Sequence, residues 1–147
     1  MADFQFAVDG DAFRTFSREL KKVEPALAKT LNKELKRVVT ETVMPAAKSN
    51  AGWSSRIPGA IKPQATTKGM GLRVARKAAP HGRPFEGLQT GARGRPTFRH
   101  PVFGNREVWV AQNTRPFLKP AFDDNHEVAV DGAQKAIATA AKAAGFR

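Results

Sequence analysis

HPVFGNREVWVAQNTRPFLKPAF, residues His100 to Phe122, reads in one pass as turn, strand, turn and helix start. Pro101 and the Gly104-Asn105 pair mark the first turn. In Arg106 to Ala111, Val108 and Val110 fall on one face and Glu107 and Trp109 on the other, the period-2 pattern of a half-buried strand. Asn113-Thr114 closes the strand, and Arg115-Pro116-Phe117-Leu118-Lys119-Pro120 feeds an Ala-rich helix. Nothing in the stretch suits bond-making chemistry. It is a scaffold for presenting surfaces.

Towards the C-terminus the helical pattern runs from Phe117 to Ala144. Phe122, Ala129, Ala133, Ile137, Ala140 and Ala144 form a stripe, Gly132 weakens its middle, and Gly145 is a natural stop. Towards the N-terminus, Gly71 to Ala78 (GLRVARKA) alternates as a strand and is expected to pair antiparallel with 106–111. Between these strands, Ala79 to Asn105 holds five Gly and four Pro among its 27 residues, with Arg83, Arg93, Arg95 and Arg99. It is expected to hold no helix, to bury little and to order only on assembly. Residues 50–69 are loop by composition, with Trp53 and Ile57 available to pin the loop to the core.

The first third is helical. Phe4, Phe6 and Val8 alternate as a short edge strand, and Asp9 or Asp11 can cap the first helix. Phe13, Phe16, Leu20, Val23, Leu27, Leu31, Leu35 and Val38 recur at spacings of three or four, so one helical face is apolar. Pro25 divides this pattern into two helices, and Pro45 kinks or ends the second. That face is expected to pack on the sheet face carrying Val108 and Val110. The expected fold is α+β in a single domain spanning 1–147. Amphipathic N-terminal helices and a C-terminal helix pack on a small antiparallel sheet, with a long basic Gly/Pro-rich loop over 79–105.

Charge separates the chain further. The net charge is +12, but residues 53–119 carry 13 Lys and Arg against 2 acids. Localised excess of this kind points to a polyanion, most often nucleic acid, with a basic rim for an acidic protein as the plainer reading. The basic residues expected to face DNA or such a partner are Arg73, Arg76, Lys77, Arg83, Arg93, Arg95 and Arg99. Arg93-Gly94-Arg95-Pro96 is similar to the core of an AT-hook, but Gly91-Ala92 and Thr97-Phe98 stand where such hooks carry further Lys and Arg. These arginines therefore read as non-selective phosphate contacts.

Catalysis is not expected. There is no Cys, no serine in a nucleophile-elbow context, and no Walker or dinucleotide pattern at Gly69-Met70-Gly71. His81, His100 and His126 lack an i,i+4 partner, so no metal or cofactor is expected. No apolar run approaches the roughly 20 residues of a membrane span. The opening MADFQF has no basic-then-apolar pattern, so no signal peptide is expected.

With these elements in order, the chain resembles the small minor tail proteins of long-tailed phages, the tail-completion or head–tail joining family. Three features carry the likeness: an N-terminal strand leading into amphipathic helices that end near Ala46-Ala47-Lys48; a central pair of strands, with GLRVA as the first; and HPVFGN…VWVAQ running into RPFLKPAF and a C-terminal helix. Ala79–Asn105 is longer and more basic than the short glycine-bounded loop the family commonly shows. The resemblance implies a structural virion protein, assembled in the host cytoplasm as a ring of six copies at the head-proximal end of the tail. Such a ring meets neighbouring connector, tail-tube or terminator proteins and lets double-stranded DNA pass. The basic segment would line the channel, and Arg115, Phe117, Leu118 and Phe122 are expected to form the joint between subunits, the alternative being that Phe117 and Phe122 both plug the end of the core. The alternative is a free basic nucleic-acid-binding protein.

Overall fold

The computed structural model describes residues 4–6, 10–66, 69–87, 96–143 and 145. The fold is α+β. Strand β1 (Phe4–Phe6) leads to helices α1 (Gly10–Val23), α2 (Pro25–Thr42) and α3 (Met44–Asn50). A short helix α4 (Ile57–Ala60), strands β2 (Ile61–Thr66) and β3 (Gly69–Val74), and a short helix α5 (Gly82–Glu86) come next. Strands β4 (Thr97–Val102) and β5 (Asn105–Asn113) and the long helix α6 (Leu118–Ala143) complete the chain.

Helix α2 is the axis of the core. Leu27, Leu31, Leu35 and Val38 form its buried stripe, joined by Val39 and Val43. They pack against Met70, Leu72 and Val74 of β3, Ile57 and Ile61, and the inner face of α6. Pro25 occupies the first turn of α2, where its missing N–H is not needed. Pro45 sits at the start of α3 and cannot donate to the helix preceding it, so the helical course bends at Val43 rather than ending. The opposite face of α2 is solvated, with Arg37 bridging Glu34 and Glu41 at 3.0 Å each.

Helix α1 departs from the sequence expectation. Leu20 is partly buried against the core, but Phe16 and Val23 are exposed, so the apolar stripe of α1 is not continued into the core by α2. The side chain of Phe13 lies outside the described residues. At the far end of α6, Gly145 takes φ 87° and its N–H closes on Lys142 O at 3.0 Å, the stop expected there.

The strands pair differently from expectation. β3 is the centre of a three-stranded antiparallel sheet in the order β1-β3-β2, with Phe4 opposite Leu72 and Ile61 opposite Val74. It ends at Val74, and Ala75 to Ala79 is a turn. Residues 61–66 had the composition of a loop because of Pro63. As an edge strand, β2 tolerates a proline that a central strand would not. The partner of β5 is β4, from within the expected loop, in register from Thr97 opposite Asn113 to Pro101 opposite Trp109. A tight turn at Phe103-Gly104, with Gly104 at φ 80°, closes this pair far more cheaply than the long connection to β3 would.

Gly132 has a tertiary reason. A Cβ there would lie 2.8 Å from Val38 Cγ1, so its absence lets α6 cross α2 closely. Gly132→Ala gains about 1 kcal/mol of helix propensity but forces a stiff β-branched neighbour to move, which costs about 1–3 kcal/mol. Thermal melting should show a net loss, and the loss should vanish when Val38→Ala is the background. A stabilised Gly132→Ala would mean the two helices part freely.

Candidate interaction surfaces

The junction entering α6 is built on one buried acid. Helix α5 ends at Gly87 in the left-handed region (φ 85°, ψ 25°), which turns the chain away and leaves Glu86 beneath the start of α6. Glu86 is 3% exposed. Its Oε2 accepts from the N–H groups of Phe117 at 2.6 Å and Leu118 at 2.8 Å, and its Oε1 from Lys119 at 2.9 Å. These are the donors that no helical carbonyl can satisfy, and the carboxylate also meets the positive end of the helix dipole. The Arg115 N–H donates to Phe85 O at 2.8 Å and the Asn50 side chain to Phe117 O at 3.3 Å, so neighbouring elements hold the junction as well.

This arrangement corrects the expected subunit joint. Phe117 and Leu118 are 0% exposed and Phe122 is buried, all within this chain's own core, so they have no surface to offer a neighbour. Arg115 alone of the four stays outside. Its guanidinium lies 4.6 Å over the Trp53 ring. Trp53 meets Phe85 edge-on at 4.8 Å, and Phe85 meets Phe98 at 5.1 Å. This aromatic chain ties the base of the β4–β5 hairpin to the body. The 79–105 segment thus carries a helix, a strand and the buried Ala79, Glu86 and Phe98, contrary to the expectation that it buries little.

Beyond Phe98 the hairpin leaves the body. Val108 is 48% exposed, Trp109 50% and Val110 39%, and Val102 and Phe103 are exposed as well. The expectation that Val108 and Val110 face the N-terminal helices is therefore overturned: the alternation is present, but among the described residues no element covers either face. A two-stranded ribbon is at best marginally stable alone in water. An exposed apolar patch of this kind marks an interaction site.

The basic residues divide into groups. Arg73 is exposed on β3 directly opposite the exposed Lys62 of β2, a pairing that sequence reasoning missed because β2 read as loop. Arg76 and Lys77 lie in the exposed turn after β3. Like charges face to face destabilise a sheet, and an anionic partner reverses that sign. Arg83 is half-buried on α5 and Arg99 is exposed on β4, on separate elements. Arg93 and Arg95, and with them the AT-hook-like core, lie outside the described residues.

The histidines are dispersed. His81 Nε2 lies 3.4 Å from Ser54 Oγ, His100 Nδ1 lies 3.0 Å from Pro101 O, and His126 is exposed on α6. Among the described residues no group of three His, Cys, Asp or Glu could hold a metal ion, and no helix is long and apolar enough to cross a membrane. A pocket of about 130 Å³ lined by Glu24, Ala26, Leu27, Thr30 and Ala143 is smaller than the roughly 300–1,000 Å³ of small-molecule sites. No family model, curated protein or solved structure matches the chain.

Proposed function

We propose that this chain is a structural subunit of a phage head–tail connector, assembling as a ring at the head-proximal end of the tail, joining tail to head and letting DNA pass. The observation that carries this reading is the hairpin. A body with a closed core of its own extends a ribbon whose Val102, Phe103, Val108, Trp109 and Val110 meet solvent. Such a subunit is completed by association. In this reading Lys62, Arg73, Arg76 and Lys77 face the DNA in the channel, holding the polyanion through its phosphates without reading sequence.

Antibody labelling of intact particles in the electron microscope tests the role. Label at the head–tail junction is expected, and particles carrying no label would overturn it. The same four basic residues support a second reading, a free nucleic-acid-binding protein. That reading requires tight duplex binding by the monomer, whereas a connector binds weakly until assembled. In either case, replacing Arg73, Arg76 and Lys77 with Gln should lower the slope of log affinity against log salt by about 2–3, since each phosphate contact contributes roughly 0.9. An unchanged slope would remove this cluster from the DNA interface.

A further inference from the structure

The occupant of the hairpin can be named from charge. The hairpin and its base, Thr97 to Arg115, contain Arg99, Arg106 and Arg115 against the single acid Glu107. Helices α1 and α2 each carry more Lys and Arg than acids and would repel such a ribbon. The N-terminal half of α6, residues 118–131, carries Asp123, Asp124, Glu127 and Asp131 against the single cation Lys119. All four acids are exposed. At 100° per residue they share the outward face of α6, opposite the buried Ala121, Phe122 and Ala129. Asp123 and Asp131 are engaged by Lys119 and Lys135 of the same helix. Beside the acids, Val128 is 58% exposed. An apolar basic ribbon and an acidic helix face with an apolar side chain at its margin are complementary, and both belong to this chain.

We infer that the hairpin of one copy docks on the outward face of α6 of a second copy. Val108 and Val110, which share one face of the hairpin, would cover Val128, and Arg106 near its tip would meet Asp124 and Glu127. Two different patches meet, so the contact is head-to-tail, the type that closes into a ring when its rotation permits. The inference rests on the connector reading for its biological setting but not for its chemistry, which needs only two copies of this chain.

Charge exchange tests it by analytical ultracentrifugation. One variant carries Arg106→Glu, and a second carries Asp124→Lys and Glu127→Lys. All three sites are exposed, and far-ultraviolet circular dichroism checks that each variant keeps its fold. The wild-type chain should self-associate, more weakly as salt rises. Each variant alone should lose association by roughly tenfold or more, because close interfacial charge pairs couple by more than the 1.4 kcal/mol that a factor of ten represents. An equimolar mixture should regain it, since each hairpin then finds an α6 of opposite charge. A wild-type chain that stays monomeric, variants that associate like wild type, or a mixture that regains nothing would each overturn the contact. Self-association through a different surface, or binding of the hairpin to duplex DNA or lipid vesicles instead, would also do so. Particle labelling reads the connector role separately: label at the junction with no rescue on mixing removes the contact and keeps the role, and rescue with no label does the reverse.

Discussion

Glu86→Ala is expected to destabilise the isolated chain by about 2–6 kcal/mol. The substitution leaves the Phe117 and Leu118 N–H groups without their acceptor, at about 1–3 kcal/mol for each buried donor. The Lys119 N–H is only partly buried, so water can replace that bond at smaller cost. Domains of this size are stable by about 5–15 kcal/mol, so the loss is a large fraction of the total. Urea unfolding at neutral pH measures it. Glu86→Gln keeps one acceptor oxygen but turns an amide donor toward the remaining N–H, so it should fall between wild type and Ala. Because α5 and α6 meet through this carboxylate, amide exchange should quicken first in residues 117–122. An Ala variant within 0.5 kcal/mol of wild type would mean that water serves the helix start as well as Glu86 does.

Phe117→Ala should cost about 3–5 kcal/mol, the range for deleting a buried aromatic side chain. Phe117 is among the largest side chains with no exposure, and the bond from Asn50 to its carbonyl fixes its backbone. The loss belongs to the monomer. It should appear as a lower midpoint in thermal unfolding of dilute protein and be independent of concentration. A variant with unchanged monomer stability that failed only in assembly would restore Phe117 to a subunit joint and contradict its burial. The contrasting change is Trp109→Ser on the hairpin. That residue is half exposed, so its loss should leave monomer stability nearly unchanged.

Much of the chain's local order was legible in the sequence. The stripe of Leu27, Leu31, Leu35 and Val38, the roles of Pro25 and Pro45, the alternation through Val108 and Val110 and the stop at Gly145 all arise from constraints within a few residues. Helical and strand periods, proline's missing donor and glycine's free φ act locally, so a local pattern reports them. The concentration of positive charge in the middle of the chain is likewise a property of sequence alone. Periodicity says that a strand has two unlike faces. It does not say what lies against either, and for this reason Val108 and Val110 were assigned to a core that does not reach them. Pairing was decided by closure: Phe103-Gly104 brings β4 to β5, while β3 finds β2 and β1. Glu86 was hidden for a related reason. Its partners are 31 to 33 residues away, and a carboxylate in a Gly- and Pro-rich stretch looks solvated until α6 is laid over it. The same packing carried Phe117 and Phe122 into a core that composition alone made look too small for both. Only the tertiary structure could decide these points, because burial and capping are contacts between distant segments and the free energy of each depends on both partners.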